Sequence, residues 1–136
     1  MDGTPKIVLV VEDDKFLSTI LKTRLEREGY SVFTAANGEE ALAIIRKQSP
    51  ALVVLDLVMP KMSGFEFLEQ MSMDPQLHGI PVVVASQLGQ ESDIAKAKSM
   101  GVVDYFIKAE TPIDQLIQNF KNIIENHDTS GTIKTA

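Results

Sequence analysis

Residues Ala51-Leu-Val-Val-Leu55 form an apolar run with no polar break. The run is too short for a buried helix and leaves no face for water. It therefore predicts a strand covered on both sides, as in a parallel sheet flanked by helices. Asp56 closes the run. Open α/β sheets place their sites beyond the carboxyl ends of strands, so a carboxylate in this position is a candidate functional group. A second run, Ile7-Val-Leu-Val-Val11, is followed by Glu12, Asp13 and Asp14. A third, Val102-Val103 with Tyr105-Phe-Ile107, is followed by Lys108. Three strand ends thus bring an acidic cluster, a single aspartate and a single lysine. Crowded carboxylates ionise together only at a cost unless a counter-charge is near. A hard cation and a lysine would supply it.

The rest of the chain alternates in the same way. Phe16, Leu17, Ile20, Leu21 and Leu25 recur at helical spacing, and Gly29 closes that helix. Asp14, directly before it, reads as its N-cap. Ser31 to Ala35 predicts a second strand. Asn37 with Glu40 and Ser63 with Glu66 have the spacing of capping boxes for two further helices. The first of these buries Ala41, Leu42 and Ile45, and Phe65, Leu68 and Met71 form the expected inward stripe of the second. Ile80 to Ala85 predicts a fourth strand ending at Ser86, and Gln90 to Met100 a weakly amphipathic helix stopped by Gly101. Thr111 is the expected cap of a last helix with Pro112 in its first position and an apolar face of Ile113, Leu116, Ile117, Phe120 and Ile124. Five βα repeats imply one α/β domain over residues 1–126. The polar stretch 127–136 is expected to be a disordered tail.

Composition narrows the function. The 136 residues carry 13 basic and 19 acidic side chains, a formal charge of −6. A negative balance argues against direct nucleic acid binding, which needs a basic face. The absence of cysteine excludes disulfides and thiolate metal sites. No apolar run approaches the ~20 residues needed to span a bilayer. Residues 1–6 lack the pattern of a signal peptide. A cytoplasmic protein without membrane association is therefore expected.

Val10-Val-Glu-Asp-Asp14, Leu55-Asp-Leu-Val-Met-Pro60, Gly64, Ala85-Ser86 and Ile107-Lys108 occur in this order at these strand ends. Together they resemble the receiver domain of bacterial two-component response regulators, over about residues 6–125. The resemblance implies a flavodoxin-like, doubly wound five-stranded parallel sheet of order 2-1-3-4-5 with helices on both faces. It implies that Asp56 accepts a phosphoryl group, from a sensor histidine kinase or a phosphotransfer protein. It implies Mg²⁺ as cofactor, with Asp13, Asp56 and the Val58 backbone carbonyl as ligands and Glu12 holding the ion through water. Ser86 and Lys108 then bind the phosphoryl group, and Ser86 and Tyr105 form the switch. Val58, Gln87 and Leu88 flank the path of a hydrolytic water.

The chain departs from the family pattern at Ala109. The family usually has proline there, in a cis bond after the lysine. A non-proline cis bond costs ~2.5–4 kcal/mol, so the resemblance leaves the state of Lys108–Ala109 open. Gln87 stands where a small residue is commoner.

The reading is a phosphorylation-dependent signalling switch, not an enzyme in its own right. The alternative is a pseudo-receiver that binds a protein without being phosphorylated. A phosphohydrolase of the haloacid-dehalogenase type would need a second aspartate at Val58, and no glycine-rich nucleotide motif follows the first strand. The chain contains no recognisable DNA-binding, kinase or cyclase segment. Output is expected to pass to an unknown downstream protein, or through a weak dimer, by the 90–125 face that includes Ile94, Ala97, Lys98 and Tyr105.

Overall fold

A computed structural model describes the backbone of residues 3–133 and the side chains through 126. The strands are β1 (Ile7–Val11), β2 (Ser31–Ala35), β3 (Leu52–Leu55), β4 (Val82–Ser86) and β5 (Asp104–Ile107). The helices are α1 (Lys15–Arg27), α2 (Gly38–Lys47), α3 (Gly64–Ser72), α4 (Glu91–Ser99) and α5 (Ile113–Ile133). All strand pairs are parallel, in the order β2-β1-β3-β4-β5. This is the doubly wound sheet that the sequence implied.

Unbroken apolar runs follow from two-sided burial. Leu9, Val11, Val53 and Leu55 face one core, shared with Ala41, Leu42 and Ile45 of α2 and Phe67 of α3. Val8, Val10, Leu52 and Val54 face the other, shared with Leu21 and Leu25 of α1 and Leu116 and Phe120 of α5. Successive strand residues enter opposite cores, so neither set can be polar.

Register carries the strand ends to one edge. Val11 pairs with Leu55 in the sheet. Asp56 N–H then donates to the Val11 carbonyl at 3.0 Å, and Glu12 N–H to that of Ala35 at 2.9 Å. Ile107 pairs with Ser86, which places Lys108 one residue beyond β4.

Helix starts follow the expected chemistry in three places, and a fourth cap lies where only a connector was expected. Asp14 accepts from the Phe16 and Leu17 amides and caps α1. Asn37 accepts from Glu40 N at 3.0 Å. Ser63 and Glu66 form the reciprocal capping box of α3. Asp74 caps a 3₁₀ turn, Pro75–Leu77, inside the α3–β4 connection.

Several expectations need correction. The buried face of α3 is Gly64, Phe67, Leu68 and Met71, the i, i+3, i+4, i+7 set begun by Gly64 where it abuts β3. Phe65 lies off that face, half-buried, with the Lys96 ammonium 4.3 Å from its ring centre. Phe16 is 77% exposed, because α1 buries Ser18, Leu21 and Leu25 instead. Ala97 is fully buried and so is no part of a surface. Thr111 does not cap α5: its hydroxyl donates back to the Ile107 carbonyl at 2.9 Å, and Pro112 precedes the helix. α5 runs through Ile133. Side chains from 127 onward, and residues 134–136, lie outside the described residues.

The corrected α3 face gives a direct test. Phe67→Ala should cost about 3–5 kcal/mol of unfolding free energy, and Phe65→Ala only roughly 1 kcal/mol. Urea denaturation of both variants measures the difference, and equal losses would contradict the assigned face.

Candidate functional site

The ends of β1, β3 and β5 meet around one ammonium group. Lys108 Nζ lies 2.7 Å from Glu12 Oε1 and 3.1 Å from Asp56 Oδ2. Glu12 and Asp56 are each about 5% exposed. The second oxygen of each is also used. Asp56 Oδ1 accepts from Val58 N–H at 3.3 Å, and Glu12 Oε2 from Asp14 N–H at 3.1 Å. Asp13 is exposed, yet an oxygen of each of Glu12, Asp13 and Asp56 lies within 4.8 Å of the others. Asp14 turns to its capping role, and it lines the same cleft. That cleft has a volume of about 410 Å³, and Val58, Gln87 and Leu88 form part of its wall.

Burial sets the electrostatics. It raises the Glu12 carboxyl above its ordinary value, with the Asp56 charge in the same direction, and the Lys108 hydrogen bond only partly offsets this. Burial pulls Lys108 down, but the Glu12 hydrogen bond and the Asp56 and Glu12 charges outweigh it, so its pKa is raised. The lysine therefore keeps its proton at neutral pH. Two carboxylates hold the ammonium and Asp13 lies beside them, so the cluster offers only oxygen donors. Such a set fits a small hard cation.

The Lys108–Ala109 bond is trans, for no described residue has a cis peptide. A 3₁₀ turn, Lys108–Glu110, leaves β5 instead. The Thr111 amide and hydroxyl close it onto Lys108 and Ile107. Alanine in place of proline thus leaves Lys108 within reach of both carboxylates.

Ser86 is fully buried at the end of β4. Its Oγ accepts from Leu88 N–H at 3.2 Å. Tyr105 stands outside the cleft, half-buried, and its hydroxyl donates to the Leu88 carbonyl at 2.7 Å. Burial raises the Tyr105 phenol above the usual tyrosine value, helped by the Asp93 charge and opposed by a hydrogen bond with Ser86. Leu88 is thus tied to both residues that the sequence nominated as a switch. Of the nominated residues, all but Ser86 and Tyr105 line the cleft, and Ser86 lies buried next to its wall residue Gln87 in sequence. Sequence reasoning missed the Lys108–Glu12 ion pair, which joins residues far apart in the chain with no local signal.

The fold and this strand-end constellation are those of a doubly wound α/β domain with an acidic carboxyl edge, and the chain belongs to the response regulator receiver domain family, matching it over residues 8–121. The probable transcriptional regulator ycf27 of Porphyra purpurea is 35% identical over 132 residues, covering 97% of this chain and 53% of that protein. The chain therefore spans about half the length of the curated relatives it first matches. The phosphorylated cyanobacterial phytochrome response regulator RcpA superposes with a TM-score of 0.77 at 32% identity, over 93% of this chain and 96% of that one. The Mn²⁺-bound form of response regulator Rcp1 gives 0.72 at 28% identity, over 97% of each chain. Among the described residues no helix is long and apolar enough to cross a membrane.

Charge balance in the cleft predicts opposite effects for two variants. Lys108→Ala leaves two buried carboxylates without their counter-charge and should cost about 3 kcal/mol. Asp13→Asn removes one of three crowded charges and should stabilise the metal-free protein by roughly 0.5 kcal/mol. Thermal melts in chelator check both, and a destabilised Asp13→Asn would contradict mutual repulsion.

Proposed function

We propose that the chain is a phosphorylation-dependent signalling switch with Asp56 as acceptor. The observation that carries this reading is the meeting of Glu12, Asp13, Asp56 and Lys108 at one sheet edge, with the Asp56 oxygens 3.3 Å from an amide and 3.1 Å from an ammonium. A carboxylate is a competent nucleophile toward phosphorus. Attack forms the Asp56 O–P bond as the bond to the donor nitrogen of a phosphohistidine breaks, its electron pair staying on that nitrogen. The donor is a sensor histidine kinase or a phosphotransfer protein. Phosphoryl transfer needs positioning and charge neutralisation above all. The Val58 amide and Lys108 position Asp56. Lys108 then follows the new negative charge, and Ser86 donates its hydroxyl to a phosphoryl oxygen.

Asp13, Asp56 and the Val58 carbonyl would hold Mg²⁺, with Glu12 reaching it through water. The oxygen-only donor set and the crowding of the three carboxylates suit that ion. When bound, Mg²⁺ offsets the charge that the phosphoryl oxygens add beside Glu12 and Asp13. The Mn²⁺-bound form of Rcp1 is consistent with a divalent site of this kind. Downstream, the altered surface meets another protein. The 90–125 face, with Tyr105 tied to the β4–α4 loop, is the surface this mechanism would change.

Incubation with a small acyl phosphate and Mg²⁺ tests the assignment by intact mass. The wild-type chain should gain one phosphoryl group and Asp56→Asn none. A stoichiometrically phosphorylated Asp56→Asn would remove Asp56 from the role, and an unmodified wild-type chain would favour the pseudo-receiver.

The lifetime of the phosphoryl group should depend on the cleft wall. Val58 is 57% exposed beside Asp56, and Leu88 lines the same cleft. Neither side chain can orient a water, whereas Gln87 has an amide that can. Val58→Asn with Leu88→Glu should therefore speed loss of phosphate by about tenfold, equal to about 1.4 kcal/mol of barrier. Phosphate release after donor removal, at constant Mg²⁺, measures it. Equal decay rates would show that these side chains do not govern water access.

A further inference from the structure

The loop 58–63 carries the Val58 carbonyl of the proposed metal set, and it has two anchors. At its far end Gly64 N–H donates to the Leu57 carbonyl at 3.0 Å. Gly64 is so close to β3 that a Cβ there would lie 2.4 Å from the Asp56 carbonyl oxygen. Near its middle, the Met62 carbonyl accepts from Gly38 N–H at 3.1 Å. Gly38 is the first residue of α2, so its amide has no partner within the helix. The Met62 side chain covers it: a Cβ on Gly38 would lie 2.7 Å from Cγ, 2.8 Å from Cβ and 2.9 Å from Sδ of Met62.

Two observations make this contact more than packing. Gly38 does not have a positive φ, so nothing in its own backbone asks for glycine. Alanine would favour the helix. The three atoms nearest a Cβ there all belong to Met62, which supplies the demand for glycine. Lys61, directly before Met62, has a φ of 62°, a left-handed conformation that a side chain adopts only when its surroundings impose it. The start of α2 is itself firm, for Asn37 is buried and Glu40 closes back on the Ala36 amide at 2.8 Å.

We infer that Gly38 is a positioning residue for the metal site, a role that rests on the Mg²⁺ reading proposed above: by seating Met62 against the start of α2, it sets the path of the loop that presents the Val58 carbonyl. A Cβ at Gly38 meets the Met62 Cβ as well as its flexible end. A rotamer change cannot relieve that clash, so the loop backbone must shift.

Calorimetric titration of the full chain with Mg²⁺, together with amide ¹H–¹⁵N spectra of the metal-free protein, tests this. Gly38→Ala should weaken Mg²⁺ binding by about tenfold and move the amide resonances of residues 58–62. Gly79→Ala, where a Cβ meets nothing within 4 Å, should do neither. In a Met62→Ala background the Cβ remains, so Gly38→Ala should still weaken binding. In a Met62→Gly background it should have no further effect. A merely structural role would lower stability without this dependence on the residue at 62. Equal Mg²⁺ affinity of wild-type and Gly38→Ala chains overturns the inference. A wild-type chain that binds no Mg²⁺ overturns the metal reading instead, and unmoved 58–62 resonances in Gly38→Ala then overturn the inference separately. If Gly38→Ala does not fold, Met62→Ala alone should weaken Mg²⁺ binding several-fold, and unchanged affinity there overturns it.

Discussion

One ammonium group between two buried carboxylates organises the carboxyl edge of this sheet. Glu12 and Asp56 follow directly from the pairing of Val11 with Leu55, so the backbone leaves them no freedom to separate. Two like charges about 4 Å apart repel by about 4 kcal/mol at an effective dielectric of 20. That is a large part of the stability of an ordinary domain, about 5–15 kcal/mol. Lys108 answers this from β5, on the far side of β4. Its side chain has to pass over the end of β4, where Ser86 is completely buried. The lysine and the acidic pair are therefore parts of one electrostatic arrangement, and a change at any of them is felt by the others.

That arrangement explains how the proposed chemistry would reach a surface. A ligand shifts a conformational equilibrium only by what it binds differently in the two states. Here the differential groups are few. On the proposed reading, Lys108 exchanges a carboxylate partner for a phosphoryl one. Ser86 Oγ holds the Leu88 amide and, on the proposed reading, turns its hydroxyl to the phosphoryl group. Leu88 also receives the Tyr105 hydroxyl on its carbonyl. Under the proposed function, movement of the serine would reach an aromatic side chain through one residue. The chain of contacts is covalent or hydrogen-bonded at every link.

The sequence made the repeating parts of this structure legible and obscured the singular ones. Apolar runs without polar breaks demand two-sided burial, and the capping residues Asp14, Asn37 and Ser63 act within a few residues of themselves. Both signals are local. The phase of α3 was not, because Phe65 and Phe67 are equally apolar, and Gly64 against β3 decides which of them faces the core. Phe16 fits a helical stripe by spacing, yet α1 presents Ser18, Leu21 and Leu25 inward. Thr111 has the composition of a cap, but its hydroxyl is turned back to donate to the Ile107 carbonyl. The strand-end residues could be nominated one by one. Their mutual geometry, above all the pairing of Lys108 with Glu12, depends on the strand order and register, which no local pattern encodes.

The two sides of the cleft are held with unequal firmness. On one side, α2 and α3 have side-chain caps, Gly64 is pressed against β3, and Met62 is seated on Gly38. On the other, α4 begins at Gln90 with no side-chain cap and fully buries only Ala97. Its remaining attachment includes a cation over the Phe65 ring, a contact worth only about 0.5–1 kcal/mol. Segments with few buried apolar contacts open at lower free energy than the core around them. A site that must bind a metal and an acceptor in a set geometry gains from the firm wall, since misplacement is costly in rate. Under the proposed function, a signal would gain from the weak one, because a helix held so lightly costs less to move. Placing Asp56 on the boundary between them lets one event use both.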